Sequence, residues 1–175
     1  MHFKQYSSSI SEGNESESQF CALASKRGFK IEKATRNDDI YKHIDFYVSK
    51  DNLMLTFDVK APKRNSRHSK GAQSDEAVWI EFRNVSGNRG WIDGEQEYIA
   101  FGFSDCFVIV KRVDLKAMVE SKLISTEVVF KVYQAEYRLY QRKGRKDLVT
   151  KIKKSDLFTI SHRVWSLSEI QSGVH

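Results

Sequence analysis

Apolar and polar positions alternate along this chain in two different rhythms. Between Gly13 and Arg27 the apolar stripe is Phe20, Leu23 and Ala24, the spacing of one helix face, and Gly28 supplies a terminator. The first ten residues read as an arm or frayed end. Phe29 to Ala34 reads as a short strand or a connector. The rhythm then changes to a period of two. Ile44–Val48 alternates, Leu53–Lys60 does so again, and the SKDN between them is a turn composition. Pro62, the single proline, stops the second run, and residues 61–77 read as a polar, basic loop. Val78, Ile80 and Phe82 define one face of a third strand. VSGNRGWIDG is dense in turn residues, with Trp91 as a core anchor beneath the turn. Phe107–Val110 is continuously apolar, as a buried strand is. Asp114 is placed to cap a helix with the stripe Leu115, Met118, Val119 and Lys122 or Leu123. Val128–Tyr133, Ala135–Tyr140 and Leu148–Ile152 are strand material, and Ser155 is placed to cap a short helix. The order of elements predicts an α/β (α+β) fold.

The two central runs fix each other's register. With Asp51-Asn52 as a two-residue hairpin loop, opposed residue numbers sum to 103. Ile44 then faces Val59, Phe46 faces Phe57 and Val48 faces Leu55, all apolar. On the other face His43 meets Lys60, Asp45 meets Asp58 and Tyr47 meets Thr56. A slip of one residue would mix the two sets. Two carboxylates directly across a ladder lie roughly 5 Å apart and repel. A divalent cation would offset that, since Mg²⁺ takes one or two carboxylates together with waters and phosphate oxygens. Lys60, two residues after Asp58, projects to the same face. The same residues on a solvated face would form a diagonal Asp45–Lys60 ion pair instead.

Composition narrows the classes. The chain has 175 residues, 40% apolar and 12% aromatic, enough for one domain with a core at about 12–125 and a C-terminal extension of strands and a short helix over 126–175. No apolar run approaches the roughly 20 residues of a membrane span. The N-terminus lacks the apolar segment of a secretory signal, so a cytoplasmic protein is expected. Cys21 and Cys106 read as buried reduced thiols, and the five scattered histidines argue against structural zinc. Net charge is +6, concentrated in KAPKRNSRHSK (60–70) and RKGRKDLVTKIKK (142–154), while 12–17 leans acidic. Basic loops beside an acidic site suit an enzyme acting on phosphodiesters.

An aspartate on one strand followed by acid-x-Lys on the next, here Asp45 and Asp58-Val59-Lys60, resembles the PD-(D/E)xK nuclease superfamily. The two aspartates are 13 positions apart. Glu17 with Phe20, Leu23-Ala24 and Gly28 is similar to the glutamate-bearing helix of many members, with Glu12 and Glu15 as competitors for that place. Ile44 stands where the label has proline. The resemblance spans roughly 12–110; WIEFRNVSGNRGW, YIAF and CFVIVKR look like later strands of some phage-type members. It implies a restriction-endonuclease-like core, a central mixed sheet flanked by helices. It further implies one or two Mg²⁺ or Mn²⁺ ions held by Asp45, Asp58, the Val59 carbonyl and Glu17, with Lys60 stabilising charge. The activity implied is a Mg²⁺-dependent deoxyribonuclease, an endonuclease rather than an exonuclease. Many members dimerise, so a homodimer on DNA is expected. Lys63, Arg64, Arg67 and Lys70, with Arg142, Lys143, Arg145 and Lys146, are candidate phosphate contacts; Glu81, His43 and Gln73 are further candidates. The competing reading is a non-catalytic nucleic-acid-binding module on the same fold.

Overall fold

A computed structural model describes residues 3–62 and 75–171. It is a mixed α/β structure with two mixed sheets flanked by helices. Helix α1 (Phe3–Lys26) leads to β1 (Lys30–Lys33), a π-helical turn (Asp38–Lys42), β2 (Phe46–Lys50) and β3 (Leu53–Lys60). Then follow β4 (Ala77–Arg83), a 3₁₀ turn (Trp91–Asp93), β5 (Tyr98–Gly102), β6 (Cys106–Lys111) and α2 (Arg112–Lys122). The remainder is β7 (Ser125–Val129), a 3₁₀ turn (Val132–Gln134), β8 (Arg138–Tyr140), β9 (Leu148–Lys153), α3 (Lys154–Leu157), β10 (His162–Ser166) and α4 (Ser168–Gln171). The first sheet runs β1-β2-β3-β5-β6-β10, the second β4-β9-β8-β7. No helix among the described residues is long and apolar enough to cross a membrane.

The β2–β3 hairpin has the expected register, Phe46 opposite Phe57 through Lys50 opposite Leu53. Asp51 turns it with φ 54°, the left-handed conformation that primed hairpin turns require at their first central residue. Alternation then sends the two faces of the first sheet to two cores. On one face Phe46, Val48, Phe57 and Val59 pack with Phe20, Leu23 and Ala24 of α1. On the other, Ile99, Phe101, Val108 and Val110 pack against Val78, Ile80 and Ile152 of the second sheet and Leu115 of α2. Phe20 is fully buried, with its ring 5.1 Å from Phe57, 5.5 Å from Trp165 and 5.8 Å from Phe107. Phe20→Ala is expected to cost about 3–5 kcal/mol, the usual loss for a core phenylalanine, read as a lower urea midpoint at unchanged slope.

Several elements depart from expectation. Helix α1 starts at Phe3, where a frayed arm was expected; no proline interrupts residues 3–12. The third strand, Val78–Phe82, does not join the central sheet but forms an edge of the second, because its apolar face closes the core from the opposite side. Asp114 is not the cap of α2, which begins at Arg112 with Lys111 in the capping position. Ser155 lies inside α3; Asp156 accepts the Lys153 N–H (3.0 Å) and fixes that helix start. The run Val128–Tyr133 is a strand only as far as Val129, and Ala135–Tyr140 only from Arg138. The segment after 125 enters both sheets, with β9 on β4 and β10 on β6. Both cysteines are free; Cys106 is buried and Cys21 only partly so.

Candidate active site

The regular β2–β3 ladder stops at Phe46, and Asp45 continues it in altered form. Its N–H donates to the Phe57 carbonyl (2.8 Å), while its Oδ2 accepts the Val59 N–H (2.7 Å). The side chain therefore stands in for a backbone acceptor, and this anchors it beside Asp58. Asp58 is 2% exposed, and its Oδ1 accepts from Lys60 Nζ at 2.7 Å. Lys60 lies over the Trp91 ring, 5.1 Å from its centroid, so the indole supports the ammonium from below. Asp58 Oδ2 is buried and has no hydrogen-bond partner.

Burial pushes the Asp45 carboxyl up to about 7, and the neighbouring Asp58 charge adds to this. Burial likewise raises Asp58, against the pull of Lys60. The two carboxyl groups are within hydrogen-bonding reach, so a proton held on Asp45 can be shared with Asp58. Burial pulls Lys60 down, but the Asp58 carboxylate outweighs it and keeps the ammonium charged.

Other charged groups surround the pair. Glu81 is near enough to favour the charged forms of Lys60 and His43, and Asp39, in the π-helical turn, opposes ionisation of Asp58. His43 closes that turn in the left-handed region (φ 58°), an uncommon conformation for a residue with a side chain. Its ring meets the Arg89 carbonyl at 3.3 Å, and burial lowers its proton affinity. The strand carrying Glu81 has a register irregularity between Glu81 and Arg83, a device that re-aims side chains beside sites. Gly90 packs on that irregularity. A Cβ there would come 2.3 Å from the Glu81 carbonyl oxygen, so Gly90→Ala is expected to displace the 84–90 loop. Loss of the Gly90 N–H bond to Phe82 would appear as faster amide exchange at Gly90.

The structure brings Asp45, Asp58 and Lys60 together and sets Glu81 and His43 around them. It does not bring in Glu17 as a third ligand. Helix α1 lies on the face of Phe46, Phe57 and Val59, whereas Asp58 and Lys60 alternate to the other. Glu17 instead holds Lys33 at 2.5 Å, and Lys33, over the Phe46 ring, feels the Asp45 charge at the sheet's end. Among the described residues no group of three or more His, Cys, Asp or Glu is arranged to hold a metal ion. Val59 enters the site through its N–H. Lys63, Arg64, Arg67, Lys70 and Gln73 lie outside the described residues. In the basic turn, Arg142 donates to buried Asp147 (2.5 Å) and is structural, while Lys143, Arg145 and Lys146 are exposed. Lys146 lies against Gly87 in the 84–90 loop, so this turn approaches the site from its His43 side. Sequence reading missed Lys33 and Asp39. Lys33 could have been found from its pairing with Phe46; nothing in the sequence marks Asp39.

No family model, curated protein or solved structure matches the chain.

Proposed function

We propose that this protein is a metal-dependent nuclease that hydrolyses DNA phosphodiester bonds with a metal-activated water. One observation carries the reading: two adjacent carboxylates, Asp58 buried with one oxygen lacking a partner and Asp45 half-buried, beside a lysine that is held charged. The donor set fits a hard divalent cation. Asp58 Oδ2 is left without a partner beside Asp45, and Mg²⁺ needs no more than two protein carboxylates when water and phosphate complete its shell. A bound cation would also offset the burial that raises both acids and the Asp58 charge that adds to it at Asp45. Asp45 and Asp58 would hold Mg²⁺ or Mn²⁺, with the Val59 carbonyl beside them. When bound, the ion would lower the pKa of a water and neutralise charge on the phosphate.

The chain's own groups supply the rest. The Val59 N–H fixes the Asp45 rotamer through its Oδ2. Lys60 offers Asp58 one N–H and has others for a phosphate oxygen, where a fixed positive charge favours the more negative transition state. Glu17 acts through Lys33, whose position it fixes near Asp45.

The test is cleavage of linear duplex, single-stranded and branched DNA and of RNA, with Mg²⁺, Mn²⁺ or EDTA. The expected result is cutting that needs the metal and falls at least about a thousandfold in Asp58→Ala, comparable to removing a principal electrostatic group. Cutting that persists in EDTA, or in folded Asp58→Ala, would overturn the proposal.

A further inference from the structure

The outward face of the second sheet carries side chains that a merely solvated face does not need. Val78, Ile80 and Ile152 are buried in the shared core, so Trp79 on β4 and Lys151 and Lys153 on β9 point away from it. The register sets Trp79 opposite Lys151 and Ala77 opposite Lys153. Tyr140, opposite Val149 on the same face, brings its ring 6.1 Å from that of Trp79, and both rings are partly exposed.

Next to this pair the surface opens into a cavity of about 660 Å³, lined by Lys151, Lys153, Lys154 and Phe158 together with Glu76 and Glu136. Glu136 stands between Lys151 (3.8 Å) and Lys153 (4.0 Å), so one carboxylate serves two ammonium groups at the limit of ion pairing. Among the described residues no carboxylate pairs with Lys154, whose Nζ lies 4.0 Å from the Phe103 ring centroid. The face is thus an aromatic pair followed by an under-neutralised basic cavity. Same-face positions on a strand repeat about every 7 Å, so Glu81, whose charge is felt at Lys60 and His43, is one step from Trp79, and Ala77 at the cavity is one step the other way.

We propose that this face is a binding track for single-stranded DNA, with bases stacked on Trp79 and Tyr140 and backbone phosphates held by Lys151, Lys153 and Lys154. In a duplex the base faces are covered by their neighbours; only an unpaired strand offers them to an aromatic ring. An acidic peptide would satisfy the lysines and leave the rings unused. As a statement of substrate class the inference rests on the nuclease reading; as a statement of binding it stands without it.

Binding is measured in EDTA, so that no cleavage intervenes. The probe is a fluorescein-labelled oligo(dT) of about 16 nucleotides, the upper site size of a single stacking domain. A duplex of equal length and polyglutamate serve as competitors. Wild type is expected to prefer the single strand. Trp79→Ala should weaken it about 5- to 100-fold, the cost of one base stack, with Trp79→Phe largely restoring it. Lys153→Ala, on an exposed side chain that folding does not need, should lower the salt slope by about 0.7. Equal affinity for duplex, displacement by polyglutamate, or indifference to Trp79→Ala and Lys153→Ala would overturn the track. The two proposals fail separately. Trp79-dependent binding without metal-dependent cutting removes the nuclease reading alone, and metal-dependent duplex cutting indifferent to Trp79 removes the track alone.

Discussion

Asp45→Asn is expected to make this protein more stable above neutral pH while abolishing cleavage. The folded chain holds the Asp45 proton up to about pH 7, whereas an unfolded aspartate releases it near 3.8. Its stabilising contribution is therefore complete below about pH 4 and is lost as pH rises through 7. Over that interval the wild type loses up to about 4 kcal/mol relative to a chain lacking the group, at 1.36 kcal/mol per pH unit, and relaxation of the pair lowers this ceiling. Asparagine has no such proton to lose. Its carboxamide keeps an oxygen for the Val59 N–H and directs a donor toward Asp58, which has a buried oxygen without a partner. At about 2–4 °C per kcal/mol for a chain of this size, the melting temperature of Asp45→Asn should exceed wild type by roughly 5–10 °C at pH 8 and match it at pH 4. Equal melting temperatures across that range would show that the carboxylates do not repel. Mg²⁺ should close the gap at pH 8 by stabilising only the wild type.

Lys60→Ala is expected to act in the opposite sense. Asp58 is buried and Lys60 is its one ion-pair partner among the described residues. Removing one member of a buried pair leaves an uncompensated charge, at a cost of about 3–5 kcal/mol. Asp58 escapes part of that cost by taking a proton, so the loss should be small at pH 5 and large at pH 8, which urea denaturation at the two values would measure. Added Mg²⁺ should recover part of it, because a cation on the carboxylates replaces the missing ammonium charge. A loss that is independent of pH would assign Lys60 to packing over Trp91 rather than to charge.

The hairpin and its chemistry were legible because two independent rules agree there. Turn composition proposes a register, and alternation of apolar residues accepts only that one. Nothing comparable fixes Glu81. Alternation says that it opposes Val78, Ile80 and Phe82, but not which sheet the strand joins. The strand β10 was illegible for another reason. HRVWS carries a single buried residue, Trp165, and takes strand form by pairing with β6. Glu17 shows the limit of helix spacing, which set its stripe correctly but could not tell on which side of the sheet α1 would pack. The left-handed His43 and the π-helical turn before it follow from closure of the Asp38–His43 segment, a tertiary effect with no sequence signal.

The placement of β10 also bears on how the molecule assembles. The β2–β3 hairpin closes through a two-residue turn and can form early, at little entropic cost. The β6–β10 pairing instead joins Val110 to His162 across the whole of β7–β9, and Arg27, just after α1, meets Glu169 of α4 at 2.6 Å. Closing such long loops is slow, since their entropy must be spent before any contact repays it. A folding intermediate with the hairpin formed and β6 still an open edge would carry its aspartate pair in place while presenting an apolar strand to other chains. Refolding yield should therefore fall with protein concentration even where the site itself has already formed.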